Sequence, residues 1–251
     1  MLAIIGGSGL SNLENLEITR RQVLRTPYGE PSSPATFGHL GGVEIVFLAR
    51  HGNGHTLAPH EINYRANMWA LKELGVKEVI AVNSVGGISE NAGPGKLIVP
   101  DQMIDYTSGR KHTFHEGAGQ PVVHIDFTWP FDNAVREAIL QATQAAGQSV
   151  EYGGVYAATN GPRLESAAEI ARIERDGGTL VGMTGMPEAS LARELSLPYA
   201  MLAVVANWAA GKGDSAQQIV LEDIVAILDE GLIKVRRIIE HRASRLVAYP
   251  S

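Results

Sequence analysis

Runs of apolar residues bounded by glycine or proline recur along the whole chain. Several are almost continuously apolar, which is typical of strands covered by helices on both faces of a sheet. The runs predict strands over residues 2–7, 43–50, 77–87, 96–103, 152–162, 179–183 and 199–208. The pattern therefore predicts a sheet with two buried faces.

Between these runs, apolar residues recur at spacings of three and four, which predicts amphipathic helices. The predicted helices cover residues 60–74, 131–147, 165–177, 186–195 and 220–244. Strands and helices alternate without a repeat or a linker, so we expect a single α/β domain with a central mixed sheet flanked by helices. We assign the domain to residues 1–242 and a C-terminal tail to residues 243–251.

Composition narrows the range of partners. A chain of 251 residues, 45% hydrophobic and 19% charged, can bury a full core. The formal net charge is −6 and the basic residues are scattered, so we expect no nucleic-acid partner. No apolar run approaches the ~20 residues of a membrane span, and the N-terminus shows no charged leader, so we expect a cytoplasmic protein without a membrane partner. The chain has no cysteine, which excludes disulfides and thiolate chemistry.

Three predicted strands end in groups that could hold an anion. The first ends in a glycine turn around Ser8, the second in Arg50 and His51, and the third in Ser84 with glycines behind it. Hydroxyls, a guanidinium and backbone N–H groups together suit a tetrahedral oxyanion. The glycine turn lacks the spacing of a dinucleotide fingerprint or a Walker loop. Two structural alternatives stay open, a simple tight turn around Ser8 and a salt bridge for Arg50.

Histidines cluster twice in the sequence. His51, His55 and His60 fall in one short stretch, and His112 and His115 in another. Neither group has the His-Glu-x-x-His spacing that places two ligands on one face of a helix. We therefore expect no metal site.

A carboxamide ends the last apolar run. Asn207 follows "LAVVA" and is followed by Trp208, Ala209 and Ala210 rather than by charged residues. Ligands in α/β sheets commonly bind beyond the carboxyl ends of strands. We therefore expect this amide to contact a ligand.

Five motifs in register resemble one family. The segments "GGSGL", "RHGNGHTLAPHEINYRANMWALKELGV", "NGPRLES", "GMTGMPEASLARE" and the strand ending at Asn207 are similar to the trimeric purine nucleoside phosphorylases, most closely to the methylthioadenosine phosphorylase branch. The resemblance runs from residue 1 to about residue 240. It implies a homotrimer, with phosphate as co-substrate and no other cofactor.

The resemblance also implies roles for individual residues. Phosphate would be held at Ser8, Arg50, His51, Ser84, Val85 and Thr184. Met183 would lie under the ribose. In the implied reaction, phosphate attacks C1′ of the sugar with inversion while the bond to N9 of the purine breaks, without a protein nucleophile. Asn207, Glu165 and His51 are the expected catalytic residues.

The base expected from the resemblance is a 6-oxopurine. Members that cleave adenosine-type substrates have Asp where this chain has Asn207 and Ala209, and an aromatic residue followed by Ser where it has Leu164 and Glu165. The NH₂ group of Asn207 can donate to O6 while its carbonyl accepts from a protonated N7. The Glu165 carboxylate can accept from the N1–H of hypoxanthine or guanine. A first-turn acid that favours the following helix is the alternative for Glu165.

The 5′ end of the nucleoside is expected to be apolar. By the resemblance, Leu221 and Ile224 line the 5′ pocket, where members that bind a free 5′-hydroxyl have a histidine, and His124 is contributed across a subunit boundary. These features imply S-methyl-5′-thioinosine as the substrate. Three alternatives stay open: a methylthioadenosine phosphorylase, a general inosine and guanosine phosphorylase, and a catalytically silent nucleoside- or phosphate-binding regulator.

Overall fold

The computed structural model describes residues 1–7 and 16–247. Eleven strands within these residues form one sheet. Their bounds are β1 Leu2–Gly6, β2 Glu17–Gln22, β3 Ala35–Leu40, β4 Val43–Ala49, β5 Glu78–Gly87, β6 Leu97–Val99, β7 Gln102–Asp105, β8 Glu151–Tyr152, β9 Val155–Ala158, β10 Leu180–Gly182 and β11 Tyr199–Trp208. The helices are α1 Tyr64–Glu73, α2 Asn133–Ala145, α3 Ala167–Arg175, α4 Glu188–Glu194 and α5 Leu221–Val247.

The sheet is mixed, as the sequence predicts. Its main path is β2-β3-β4-β1-β5-β10-β9-β7, and β11 joins it on β5 and also pairs with β6, which pairs in turn with β8. The pairs of β1 with β4, of β1 with β5 and of β5 with β11 are parallel, whereas β10 runs antiparallel to β5. The carboxyl ends of strands β4, β5 and β11 therefore lie on the same side of the sheet.

The apolar runs locate the central strands but not the outer ones. Each predicted strand region contains an observed strand, but the run over residues 96–103 divides at Pro100 into β6 and β7. These two strands pair with different partners, β11 and β9. The sequence gives no signal for β2, whose six residues are all exposed, for β3, or for the two-residue β8.

Both faces of the sheet are buried, because successive side chains of β1 belong alternately to two different buried clusters. Ala3 and Ile5 belong to a buried cluster that includes residues of α1 and α4. Leu2 and Ile4 belong to a second cluster, which includes residues of α2 and α5. Successive side chains of a strand point to opposite faces, so helices cover the sheet on both sides. Within the described residues, no helix is long and apolar enough to cross a membrane.

The end of the last helix differs from the prediction. Helix α5 continues to Val247, and Ala243 is fully buried against the second cluster. The boundary predicted between residues 242 and 243 therefore falls inside this helix, and the division into a domain and a tail stays a prediction. The last turn continues because Ala243 and Leu246 extend the apolar face of the helix.

Candidate active site

A cavity of about 650 Å³ lies at the carboxyl ends of β4, β5 and β11. This is the usual position for a ligand in an α/β sheet. Most of the predicted site residues line it: Arg50, His51, Ser84, Val85, Leu164, Glu165, Met183, Thr184, Asn207, Ala209 and Ile224. The fold thus brings together residues from six separate stretches of the chain.

Arg50 lies at one end of the cavity in a buried ion pair. Its Nε and Nη2 atoms donate to the two carboxylate oxygens of Glu188 at 2.7 and 2.9 Å, and its Nη1 donates to the Val82 carbonyl at 3.1 Å. Tyr199 also donates its hydroxyl to Glu188, at 2.9 Å. Burial alone would lower the pKa of Arg50, but the charge and hydrogen bonds of Glu188 raise it above its ordinary value. The salt bridge considered for Arg50 is therefore present, and Arg50 also lines the cavity.

His51 follows Arg50 and is fixed by the loop that comes after it. Its Nδ1 lies 2.9 Å from the Leu57 carbonyl oxygen, and its ring stacks on that of His55 with centroids 4.3 Å apart. Burial lowers the pKa of His51 to about 4, and the neighbouring charges of Arg50 and His55 act in the same direction. The imidazole is therefore neutral near pH 7.

The end of β5 and the Met183–Thr184 turn form the adjoining wall. Ser84 is exposed between buried neighbours, so its hydroxyl is open to the cavity. Asn83 donates its amide to the Thr184 hydroxyl at 2.8 Å, which leaves the Thr184 proton free to donate. The buried Tyr156 hydroxyl accepts hydrogen bonds from the backbone N–H groups of Thr184 and Gly185 at 3.3 and 3.2 Å. Tyr156 and Asn83 thus hold the turn in position.

Asn207 owes its orientation to a β-bulge. In the pairing of β11 with β5, Val205 is opposite Val85 but Asn207 is opposite Gly86, so Ala206 is an extra residue. Residues three apart in a regular strand face opposite sides, yet Val204 and Asn207 both line the cavity because the bulge inserts one residue between them. The Asn207 amide nitrogen donates to the Trp208 carbonyl at 2.6 Å.

Glu165 lines the cavity from the loop before α3. Its Oε1 accepts a hydrogen bond from the Thr159 hydroxyl at 2.6 Å. Helix α3 begins at Ala167 with Ser166 as its N-cap, and the carboxylate of its capping box belongs to Glu169. Glu165 is therefore not a first-turn acid, and its second oxygen has no donor among the described residues.

Apolar side chains from α5 close the cavity. Ile224, Leu228 and Leu232 line it at intervals of four residues, along one face of the helix. Leu221, predicted to belong to this lining, is 62% exposed and is not part of it. Ile219, just before the helix, does line the cavity, and the place of Leu221 in the 5′ pocket stays a prediction.

Besides Leu221, two further predicted residues are not placed in this cavity. Ser8 lies outside the described residues. His124 lies in the exposed segment between β7 and α2 and does not line the cavity of its own chain. Within residues 1–7 and 16–247, no group of three or more His, Asp or Glu side chains could hold a metal ion.

Sequence reasoning missed several residues that the structure brings to the site. Glu188 and Thr159 are the hydrogen-bond partners of two predicted residues, and Tyr156 supports a third. Leu228 and Leu232 could have been found from their spacing of four from Ile224. The partners of Arg50 and Glu165 carried no comparable signal in the sequence.

Comparisons with known proteins give one consistent result. A family model described as "Phosphorylase superfamily" matches residues 1–242. A probable S-methyl-5′-thioinosine phosphorylase of Xanthomonas campestris is 52% identical over 228 residues, covering 91% of each chain. A 6-oxopurine nucleoside phosphorylase of Pyrococcus furiosus is 43% identical over 91% of this chain and 86% of its own. Methylthioadenosine phosphorylase from Schistosoma mansoni, solved with adenine, superposes with a TM-score of 0.93 at 30% identity, covering 99% of this chain and 92% of the other.

Proposed function

Because the chain belongs to the phosphorylase superfamily, we propose that it cleaves S-methyl-5′-thioinosine with phosphate, giving hypoxanthine and 5-methylthioribose 1-phosphate. The activity would return a purine base to salvage. Inorganic phosphate is the co-substrate, and the reaction needs no other cofactor.

The observation that carries the choice of base is that Glu165 and Asn207 both line the cavity. The free oxygen of Glu165 can accept from the N1–H of a 6-oxopurine, but it would face the bare lone pair of N1 in adenine. The carboxamide of Asn207 can donate to O6 and accept from N7–H. Each unpaired buried polar group costs about 1–3 kcal/mol, so this pairing disfavours adenine.

The cavity lining also supplies groups that suit phosphate. Arg50, Ser84 and Thr184 offer hydrogen-bond donors there, together with the backbone next to Val85 and, in the sequence, Ser8. The positive charge that develops on the sugar in the transition state would lie between the phosphate and the departing base. Catalysis then depends on positioning and on fixed polar groups, with Asn207 stabilising the negative charge on the base.

The apolar face of α5 favours a methylthio group over a hydroxyl. Ile224, Leu228 and Leu232 offer no hydrogen-bond partner at their end of the cavity. A buried methylthio group would gain about 2 kcal/mol there, whereas a 5′-hydroxyl would be left unpaired. Met183 would cover the apolar face of the sugar.

We further propose a cytoplasmic homotrimer in which His124 completes the site of a neighbouring subunit. The segment that contains His124 also exposes Val122, at 79%, and Trp129, at 60%. Apolar side chains exposed in this way suit a contact with a second copy of the chain. A fully active monomer in solution would remove this role for His124.

An activity panel tests the proposed function. S-methyl-5′-thioinosine, S-methyl-5′-thioadenosine, inosine and guanosine are each incubated with and without phosphate, and release of free purine is followed. We expect phosphate-dependent release, fastest from S-methyl-5′-thioinosine. Faster release from the adenosine analogue or from inosine would indicate one of the two related activities, and no release from any nucleoside would indicate a binding protein.

Asn207→Ala should lower kcat on S-methyl-5′-thioinosine by about 10- to 100-fold, since a hydrogen bond to a charged group is worth about 1.5–3 kcal/mol. Asn91→Ala, an exposed amide away from the cavity, is the matched control and should leave kcat unchanged. Wild-type kcat in Asn207→Ala would mean that Asn207 only ends the strand.

A further inference from the structure

The loop from His51 to Leu57 holds the imidazole of His51 through both main chain and side chain. The backbone N–H groups of Thr56 and Leu57 donate to the His51 carbonyl, both at 3.0 Å. The Leu57 carbonyl in turn lies 2.9 Å from His51 Nδ1. His51 lines the cavity, so one ring nitrogen is fixed on the loop and the other, Nε2, has no hydrogen-bond partner among residues 1–7 and 16–247.

This geometry determines the tautomer. A carbonyl oxygen only accepts, so Nδ1 carries the proton in its hydrogen bond with Leu57. The ring is neutral because it is half-buried and lies beside the Arg50 guanidinium and the ring of His55, and burial lowers its pKa to about 4. A neutral ring with a proton on Nδ1 presents a bare lone pair at Nε2. His51 is therefore a hydrogen-bond acceptor towards the ligand, not a cationic donor.

From these contacts we propose that His51 selects the co-substrate by the proton that the anion carries. Its Nε2 accepts a hydrogen bond from the P–OH of monohydrogen phosphate and repels a fully deprotonated oxyanion. The inference rests on the proposed function, because it takes the co-substrate to be phosphate. At the pH of 7.5 used in the test below, phosphate and arsenate are mainly monohydrogen dianions, whereas sulfate carries no proton. All three are tetrahedral, and at this pH each is present largely as a dianion, so the proton is the feature that separates them.

The charge balance around His51 supports recognition through hydrogen bonds. Within residues 1–7 and 16–247, the charged and titratable groups that act on it are Arg50, the Glu188 carboxylate that matches the charge of Arg50, and His55, whose ring stacks on it. Arg50 and Glu188 are 2% and 0% exposed, so the pair is desolvated and almost neutral as a unit. Two dianions carry the same overall charge, so charge alone does not discriminate between them. The lone pair of His51 is then the group that distinguishes the protonated dianion from the unprotonated one.

The experiment measures dissociation constants of phosphate, arsenate and sulfate on the same protein by isothermal titration calorimetry at pH 7.5 and constant ionic strength. We expect arsenate to bind within a few-fold of phosphate and sulfate to bind on the order of 10- to 100-fold more weakly, since an acceptor facing an acceptor leaves a polar group unpaired. Sulfate binding within twofold of phosphate would overturn the proposal. Because this readout needs no turnover, it is independent of whether the protein releases purine.

The variant His51→Gln tests the residue itself. An amide can rotate to present NH₂, so it can donate to sulfate, and the phosphate-to-sulfate preference should fall at least about tenfold. His60→Gln, an exposed histidine of the same segment that does not line the cavity, should keep the wild-type preference. Undiminished preference in a folded His51→Gln would overturn the assignment.

A direct spectroscopic measurement covers the case in which His51→Gln does not fold. The ¹⁵N shifts of the wild-type His51 ring should report a proton on Nδ1 and none on Nε2 from pH 6 to 8. A ring protonated on Nε2 in this range would contradict the proposal. Loss of nucleoside cleavage with the anion preference intact would instead contradict the proposed function alone.

Discussion

The buried pair of Arg50 and Glu188 predicts a large loss of stability from one small substitution. Glu188→Gln keeps the volume of the side chain and so creates no cavity, but it removes the negative charge. Glu188 accepts three hydrogen bonds, two from Arg50 at 2.7 and 2.9 Å and one from Tyr199 at 2.9 Å. The amide NH₂ of the variant would face donors, and Arg50 would remain as a charge without its counter-ion.

The expected loss in the free energy of unfolding is about 3–5 kcal/mol, the usual cost of removing one partner from a buried pair. Urea unfolding followed by circular dichroism, at one protein concentration and without phosphate, measures it. Adding phosphate should raise the melting temperature of the variant more than that of the wild type, because the anion becomes the counter-ion of Arg50 and binds the folded state.

The exposed pair of Arg20 and Glu44 provides the matched control. Its side chains are 52% and 41% exposed, with an N–O distance of 2.9 Å. Glu44→Gln should therefore cost only about 0–1 kcal/mol, as surface ion pairs do. If Glu188→Gln cost no more than this control, the reasoning that Glu188 compensates a desolvated charge would be refuted.

Three further outcomes are expected. Replacing Glu165 by Ser and both Asn207 and Ala209 by Asp should shift the ratio of kcat/KM towards S-methyl-5′-thioadenosine by on the order of 10³-fold, and an unchanged ratio would contradict the base assignment. Ile224→Asn should lower the preference for S-methyl-5′-thioinosine over inosine by about tenfold in the same assay, because it introduces a partner for the 5′-hydroxyl. The pKa of His51 is about 4 in the folded chain against 6.5 ordinarily, so the unfolded chain binds more protons between these values. The stabilisation from the neutral ring is complete above about pH 6.5 and is lost as the pH falls towards 4. Over this window, the free energy of unfolding measured in urea should fall more for the wild type than for His51→Gln. An equal fall in both proteins would contradict the depressed pKa.

The central strands and the helices could be predicted because each buries an apolar face that leaves a periodic pattern. Strand β2 buries none of its residues: all six are exposed, and among the described strands it pairs only with β3, at the edge of the sheet. The end of helix α5, predicted near residue 244, lies at Val247. The sequence does not mark this end, because no glycine or proline stands there and the apolar pattern weakens among charged residues. Element boundaries of this kind depend on packing against the sheet.

For the site, the sequence predicted the side chains that line the cavity better than it predicted the contacts that hold those side chains in place. Arg50 and Asn207 both line it, but the ion pair of Arg50 joins residues 138 positions apart, and no local pattern reports such a contact. The bulge at Ala206 occurs in an ordinary apolar run without glycine. Leu221 does not line the cavity of its own chain, and its role in the 5′ pocket stays a prediction. The role of His124 stays a prediction.

The pairing of β5 has a consequence for the rigidity of the site. This strand pairs with β1 and β10 along one edge and with β11 along the other, and it supplies Ser84 and Val85 to the cavity. Its amide hydrogens can exchange with solvent only when several strands separate, so they should be among the slowest to exchange in the molecule. The first turns of α5 have Leu221 and Val225 largely exposed, so we expect these turns to open at a lower free energy than the sheet does. The protein thus binds its substrate between a wall of near-global stability and a helix end that opens locally, and occupancy of the cavity should slow exchange chiefly in the helix.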